Sequence, residues 1–246
     1  MCGRYLITTT PEAFRRRFRY REQPNFPPRF NVAPTQPVPI VRVVEGERQF
    51  ALVRWGLIPA WVKDPRAFSL LINARAESVN DKPAFKNAMK RRRCLILADG
   101  FYEWKQDGAR NRPFVARPRD GAPVAFAGVW ESWMGPNGEE QETAAIITTV
   151  ASRDLHAIHH RMPVVVPPEA FDMWLDCVNV DEQTAAELLV PAPEDFFQAY
   201  EISPAVNRVA NDAATLLEPA TVETAAAEPV KRARKPKTDE RQSSLF

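Results

Sequence analysis

The chain has 246 residues, 45% hydrophobic and 26% charged, an ordinary composition for a globular domain with one sizeable core. Lys and Arg number 33 and Asp and Glu 31, a net charge of +2. That balance excludes nucleic-acid binding by bulk charge but leaves room for a local basic groove.

Taken in chain order, Met1-Cys2-Gly3-Arg4-Tyr5 has no signal-peptide architecture, and no apolar run approaches the roughly 20 residues of a membrane helix. Thr10-Pro11-Glu12 opens a helix predicted to run to Phe18, with Thr10 as N-cap and Pro11 in the first turn. The stretch from Pro24 to Pro39 reads as a structured surface loop. Runs rich in Val, Ile and Phe at 38–44, 48–55, 94–98, 123–130 and 143–151 predict strands, and Glu45-Gly46-Glu47 suits a hairpin turn between the first two. Helices are expected over 82–91, over 152–160 with Ser152 as cap, and over 181–189. Strands dominate and do not alternate with long helices. The expected fold is therefore α+β, a single domain built on a mainly antiparallel, twisted, barrel-like sheet with flanking helices. After Leu217 no aromatic residue appears before Phe246, and Ala, Pro, Glu, Lys and Arg prevail. Such a segment buries too little apolar surface to offset its ordering entropy. The expected organisation is a domain over 1–217 and a disordered basic tail over 218–246.

Three cysteines, Cys2, Cys94 and Cys177, are too few and scattered for a disulfide framework or zinc cluster, so a reduced, cytoplasmic domain is expected. Cys94 and Cys177 lie in apolar runs and read as core residues. Cys2 is different, because removal of Met1 would make it the mature N-terminus. Its α-amine (pKa about 7.7–8.0) and thiol (about 8.5) would then both be partly deprotonated near neutrality. Such a 1,2-aminothiol condenses with an aldehyde to an imine and closes it to a thiazolidine. Alternatively, the amine serves as base to the thiol, as in N-terminal nucleophile hydrolases.

Other polar groups stand in unusual company. Trp55 and Trp61 flank an exposed-looking loop near Arg54, Lys63 and Arg66, which suits core packing or, in a DNA-binding protein, base stacking. Asn73-Ala74-Arg75-Ala76-Glu77 follows the apolar Leu70-Leu71-Ile72, so its polar groups need partners, structural or catalytic. Glu103 lies among Phe101, Tyr102 and Trp104, where an apolar setting would raise its pKa toward general acid work, unless it faces solvent. His156 and His160 have the i, i+4 spacing of metal ligands but no HExxH glutamate or third ligand. A single working histidine fits this cluster better, and no metal or cofactor is expected.

These segments, in this order, resemble the SOS response-associated peptidase (SRAP) family of abasic-site-processing proteins. The resemblance rests on Met1-Cys2-Gly3-Arg4-Tyr5, Asn31-Val32-Ala33-Pro34, Trp55-Gly56-Leu57-Ile58-Pro59 and Asn73-Ala74-Arg75-Ala76-Glu77. It continues through Gly100-Phe101-Tyr102-Glu103-Trp104, His159-His160-Arg161-Met162-Pro163 and Ser203-Pro204-Ala205-Val206-Asn207. It implies covalent capture of abasic sites in single-stranded DNA through a thiazolidine on Cys2, with the lesion shielded from strand cleavage. On the same resemblance, Asn73 orients the amine and sugar, Glu103 is the general acid/base, and His159 completes the site. Arg4, Arg75 and Arg161 look like phosphate ligands, and Trp61 with Pro34 looks like a wedge against flanking bases, with Trp55 in the same DNA-binding set. Removal of Met1 by the protein itself would be the peptidase activity that the family name suggests, and a lyase-type step is a further expectation. A monomer is adequate for this chemistry.

In the tail, Gln242, Leu245 and Phe246 form a Gln-x-x-Leu-Phe pattern that resembles the bacterial sliding-clamp-binding motif. The basic run from Lys231 to Lys237 suits an auxiliary DNA contact or a solvated charge run. Two readings from other classes compete with DNA capture. One is a thiol peptidase acting on protein through Cys2. The other is a non-covalent single-strand-binding module that uses Trp55, Trp61 and the arginines.

Overall fold

The computed structural model describes residues 2–221. Met1 and the expected clamp motif and basic run of the tail lie outside the described residues. The strands are β1 (Arg4–Ile7), β2 (Arg29–Val32), β3 (Pro37–Val44), β4 (Glu47–Trp55), β5 (Asn73–Arg75), β6 (Arg93–Ala98) and β7 (Gly100–Asp107). They continue with β8 (Arg110–Pro118), β9 (Val124–Met134), β10 (Glu140–Val150), β11 (Arg161–Pro163), β12 (Val165–Val166) and β13 (Phe197–Glu201). Between them lie the short helices α1 (Pro11–Phe18), α2 (Lys86–Arg91), α3 (Arg153–His156), α4 (Phe171–Leu175) and α5 (Glu182–Ala186).

Strands β4, β3, β6 and β9 pair antiparallel in that order, and β10 pairs with β9 on one side and, in parallel, with β4 on the other. The result is a closed barrel, so its long Val/Ile-rich strands have no free edges. Ile40, Leu95, Ile96, Ala127, Val129 and Ile146 are all fully buried in the core. Burial of each large aliphatic side chain contributes roughly 1.5–3 kcal/mol. Short strands β5 and β11 extend from β10, and β12 from β9.

The second sheet is antiparallel, in the order β13-β8-β7-β1-β2. Gly100 opens β7 where β1 and β8 converge: a Cβ there would meet the Ala116 carbonyl oxygen at 2.5 Å. This sheet was the part not foreseen. The expected loop from Pro24 to Pro39 contains β2, whose Val32 pairs with Tyr5, and the first residues of β3.

Helix α1 spans its expected residues, whereas α2 begins later than expected and α3 and α5 end sooner. Thr10 caps α1 through its hydroxyl, which accepts from Ala13 N–H. Asp181 likewise caps α5 by accepting from Thr184 N–H at 2.7 Å. Residues 82–85 form turns rather than helix, and α3 stops at His156 because Ala151 N–H donates to the His160 carbonyl, drawing the chain into β11. Ser152 makes no side-chain cap there. Near the far end, Ile202 bridges Pro219 and Ala220 N–H donates to Glu201 O, so ordered pairing runs past the expected boundary at 217. Among the described residues, no helix is long and apolar enough to cross a membrane.

Candidate functional site

The β1–β7 register pairs Arg4 with Tyr102 and Tyr5 with Phe101, so the residues before Arg4 run antiparallel past Glu103. Cys2 is fully buried there, its thiol directed to the Arg4 carbonyl at 3.7 Å. Burial pushes the Cys2 thiol well up from its ordinary range, and the Glu103 carboxylate adds to the effect.

Asn73 opens β5, which lies parallel to β10 with Asn73 opposite Ile146. Its side-chain N–H donates to the Cys2 carbonyl at 2.9 Å, while its buried Oδ1 has no hydrogen-bond partner among the described residues. The Ile72 carbonyl just before it accepts from Ile146 N–H at 3.1 Å and from the Trp55 indole N–H at 2.9 Å.

Glu103 is a buried carboxyl in a small cavity that also has Phe101, Phe114, Leu155 and Ile158 in its wall. Burial in this apolar setting raises its pKa from 4.5 to about 7. His159 lines the same cavity, with Nδ1 3.8 Å from Glu103 Oε1. Burial, with smaller contributions from neighbouring positive charge, holds His159 below its ordinary 6.5. Near neutrality the carboxyl therefore lies close to its own midpoint, beside a histidine held toward its neutral form, an arrangement suited to proton transfer.

The DNA-binding candidates divide. Trp61 is 59% exposed and sets its ring edge against Phe68 at 5.5 Å. Arg75 is exposed at the end of β5, and Pro34 is half-buried in the turn between β2 and β3. Trp55 is corrected: it is fully buried, edge-on to Tyr5 at 5.3 Å, with its indole N–H committed to Ile72. A ring with no exposed face cannot stack on a base. Arg161 is also buried. Its guanidinium makes two bonds to the Glu77 carboxylate, at 2.5 and 3.0 Å, and Nη2 donates to the Thr148 carbonyl at 2.5 Å.

Arg4 Nη1 donates to Asn31 Oδ1 and the Val206 carbonyl, both at 2.8 Å, and Nη2 to the Asn207 carbonyl at 3.3 Å. Desolvation lowers its pKa. Asn31 is the part that sequence reasoning missed. It is fully buried on β2, and its amide N–H groups reach the carbonyls of Val206, Arg208 and Asn211. The signal was present in the Asn31-Val32-Ala33-Pro34 motif, whose asparagine had no assigned task. Its role is to lock the late Pro204–Asn207 turn onto β2 and, through Arg4, onto β1, the strand that follows Cys2.

Of the other residues with expected roles, Cys94 is buried in the core but Cys177 is only half-buried. His156 is exposed, and His160 stacks on His159 at 4.4 Å.

A profile of the SOS response associated peptidase (SRAP) family matches residues 1–209. Abasic site processing protein YoqW of Bacillus subtilis is 35% identical over 222 residues, covering 89% of this chain and 99% of that protein. Abasic site processing protein YedK of Escherichia coli is 31% identical, covering 89% of this chain and 100% of that protein. Abasic site processing protein HMCES of Gallus gallus is 32% identical over 89% of this chain and 78% of its own length. A crystal structure of a protein from Bacteroides thetaiotaomicron superposes with a TM-score of 0.81 at 26% identity, over 89% of this chain and 100% of that one. With the family profile and these relatives spanning most of the sequence, the chain belongs to the SOS response-associated peptidase (SRAP) family.

Proposed function

We propose that this chain processes abasic sites in DNA, as the names of its relatives say of them, and does so by covalent capture on Cys2. One observation carries the reading: Cys2 is buried in a site where Asn73 holds its carbonyl and the buried Glu103 carboxyl lies beside His159. Hydrolysis of the Met1–Cys2 bond, the autoproteolytic step, frees the Cys2 α-amine. The amine then adds to the aldehyde of the ring-opened abasic sugar, giving a carbinolamine. Glu103 protonates the departing hydroxyl, water leaves, and a C=N bond forms. The thiol adds across that bond: sulfur bonds to carbon and the thiol proton passes to nitrogen, closing the thiazolidine with one water lost overall. Asn73 Oδ1, buried and unpartnered, is placed to accept from the freed amine or a sugar hydroxyl. The ring leaves no iminium to acidify the neighbouring sugar proton, so β-elimination is suppressed and the strand stays intact. Trp61, Pro34 and Arg75 supply the exposed contacts to single-stranded DNA.

The raised Cys2 thiol speaks against a peptidase that attacks proteins through a thiolate, since burial disfavours that anion. The proposal extends to the tail, where Gln242, Leu245 and Phe246 dock on a replication sliding clamp; deletion of 242–246 should abolish clamp binding.

The experiment is a denaturing gel of mature protein with a single-stranded oligonucleotide carrying one abasic site. A heat-stable shifted band is expected that Cys2→Ala and an intact-base oligonucleotide do not give. Absence of that band, with Met1 shown by mass spectrometry to be removed, refutes covalent capture.

A further inference from the structure

The segment that supplies Asn73 also supplies Glu77, a carboxylate for which the proposed chemistry has no use. Glu77 sits on the 3-10 turn Ala76–Ser78 that follows β5. Both its oxygens take the Arg161 guanidinium, in a pair that spans from the surface to the interior: the Glu77 side chain is 52% exposed and that of Arg161 9%. A two-pronged carboxylate–guanidinium contact fixes orientation as well as distance. The main chain of the same Arg161 then touches the site, because its N–H donates to His159 Nδ1 at 3.0 Å. The Arg161 carbonyl oxygen lies 3.2 Å from the same Nδ1, so the Arg161 main chain offers that nitrogen a donor and an acceptor, and the position of the turn decides which of the two the ring engages and hence its tautomer.

We propose that Glu77 is a positioning residue: by clamping Arg161 it fixes the His159–Arg161 turn, and with it the ring orientation and tautomer of His159. The inference rests on the reading that His159 takes part in the reaction. It also gives a physical reason for the spacing within Asn73-Ala74-Arg75-Ala76-Glu77. One short segment, held in register by β10, grips the Cys2 carbonyl at its first residue and the support of His159 at its last. Thr148, on that same strand, completes the clamp by accepting from Arg161 Nη2 through its carbonyl.

The test compares mature wild-type protein with Glu77→Gln and Glu77→Asp. With imidazole-¹⁵N labelling, wild-type His159 is expected to show a single tautomer, Glu77→Gln a mixture of tautomers, and Glu77→Asp a return toward the wild-type pattern. In single-turnover crosslinking to an abasic oligonucleotide, Glu77→Gln should lower the maximal rate roughly ten- to hundredfold. Its Kd for an intact oligonucleotide should stay within about twofold, and Glu77→Asp should recover most of the rate. An unchanged His159 tautomer in folded Glu77→Gln overturns the proposal. So does markedly tighter DNA binding by that variant, which would mean that Glu77 restrains a phosphate-binding arginine instead. A changed tautomer with an unchanged crosslinking rate leaves the hold on His159 standing and overturns the histidine's assigned part in the reaction.

Discussion

Replacing Glu103 by glutamine removes an ionisable group while nearly preserving the shape of the side chain. Burial raises this carboxyl from 4.5 to about 7. Each tenfold change in an ionisation constant corresponds to about 1.4 kcal/mol, so the folded protein disfavours the Glu103 anion by about 3 kcal/mol. The sign follows from the direction of displacement. A group whose folded pKa lies above its unfolded value contributes stability that is complete below about pH 4.5 and is lost as the pH rises through about 7. Urea unfolding of wild type and Glu103→Gln, measured in parallel between pH 4.5 and 8.5, isolates this contribution because other titrating groups cancel in the difference. Wild type should lose about 3 kcal/mol relative to the variant across the window. Repeating the series on a His159→Gln background removes a titrating partner that faces Glu103 at 3.8 Å. A difference that stays flat, or rises with pH, would refute the reasoning, since it would mean that the site favours the carboxylate. The same variant should crosslink abasic DNA slowly at every pH, having no proton to give.

Other perturbations separate the roles of neighbouring residues. Trp55→Phe removes the indole N–H that holds the Ile72 carbonyl; it should cost about 1 kcal/mol in unfolding experiments and slow crosslinking, with affinity for intact single strands unchanged. Weaker binding instead would return Trp55 to the DNA interface. Trp61→Ala, at an exposed position, should leave stability within about 0.5 kcal/mol but weaken single-strand binding by roughly 1–3 kcal/mol in a fluorescence anisotropy titration. Asn31→Ala takes one acceptor from Arg4 and leaves the carbonyls of Arg208 and Asn211 without their Asn31 donor, and should destabilise the fold by about 2–4 kcal/mol. An unshifted urea midpoint would show that those groups find other partners.

The barrel was legible in the sequence because β6, β9 and β10 are buried along most of their length, and with β3 and β4 they read as runs rich in Val, Ile and Phe. The second sheet was not. β7 carries Glu103, Lys105 and Asp107, β8 carries Arg110, Arg112 and Arg117, and β2 lies inside a proline-rich stretch, so composition pointed to loops. Chain-distant pairing, with Arg4 opposite Tyr102, is what makes these polar segments strands. At the site, residue types and motif order picked out Cys2, Asn73, Glu103 and His159. Sequence could not say which of two tryptophans in one loop turns inward. That choice is made by a partner distant in sequence, the edge of Tyr5. Nor could it show that Arg161 is engaged by Glu77, since 84 positions separate them.

The bracing of the first strand by Asn31 and the turn at 204–207 has a consequence during synthesis. Strand β1 cannot complete its sheet until β7 exists, and Arg4 lacks its two carbonyl anchors until Val206 and Asn207 have left the ribosome. At about 5–20 residues per second, that leaves the amino end undocked for roughly 10–40 s. An outside aminopeptidase has that interval to act. Once the last turn docks, Cys2 is enclosed, and the end is no longer open to enzymes in the translation machinery's surroundings.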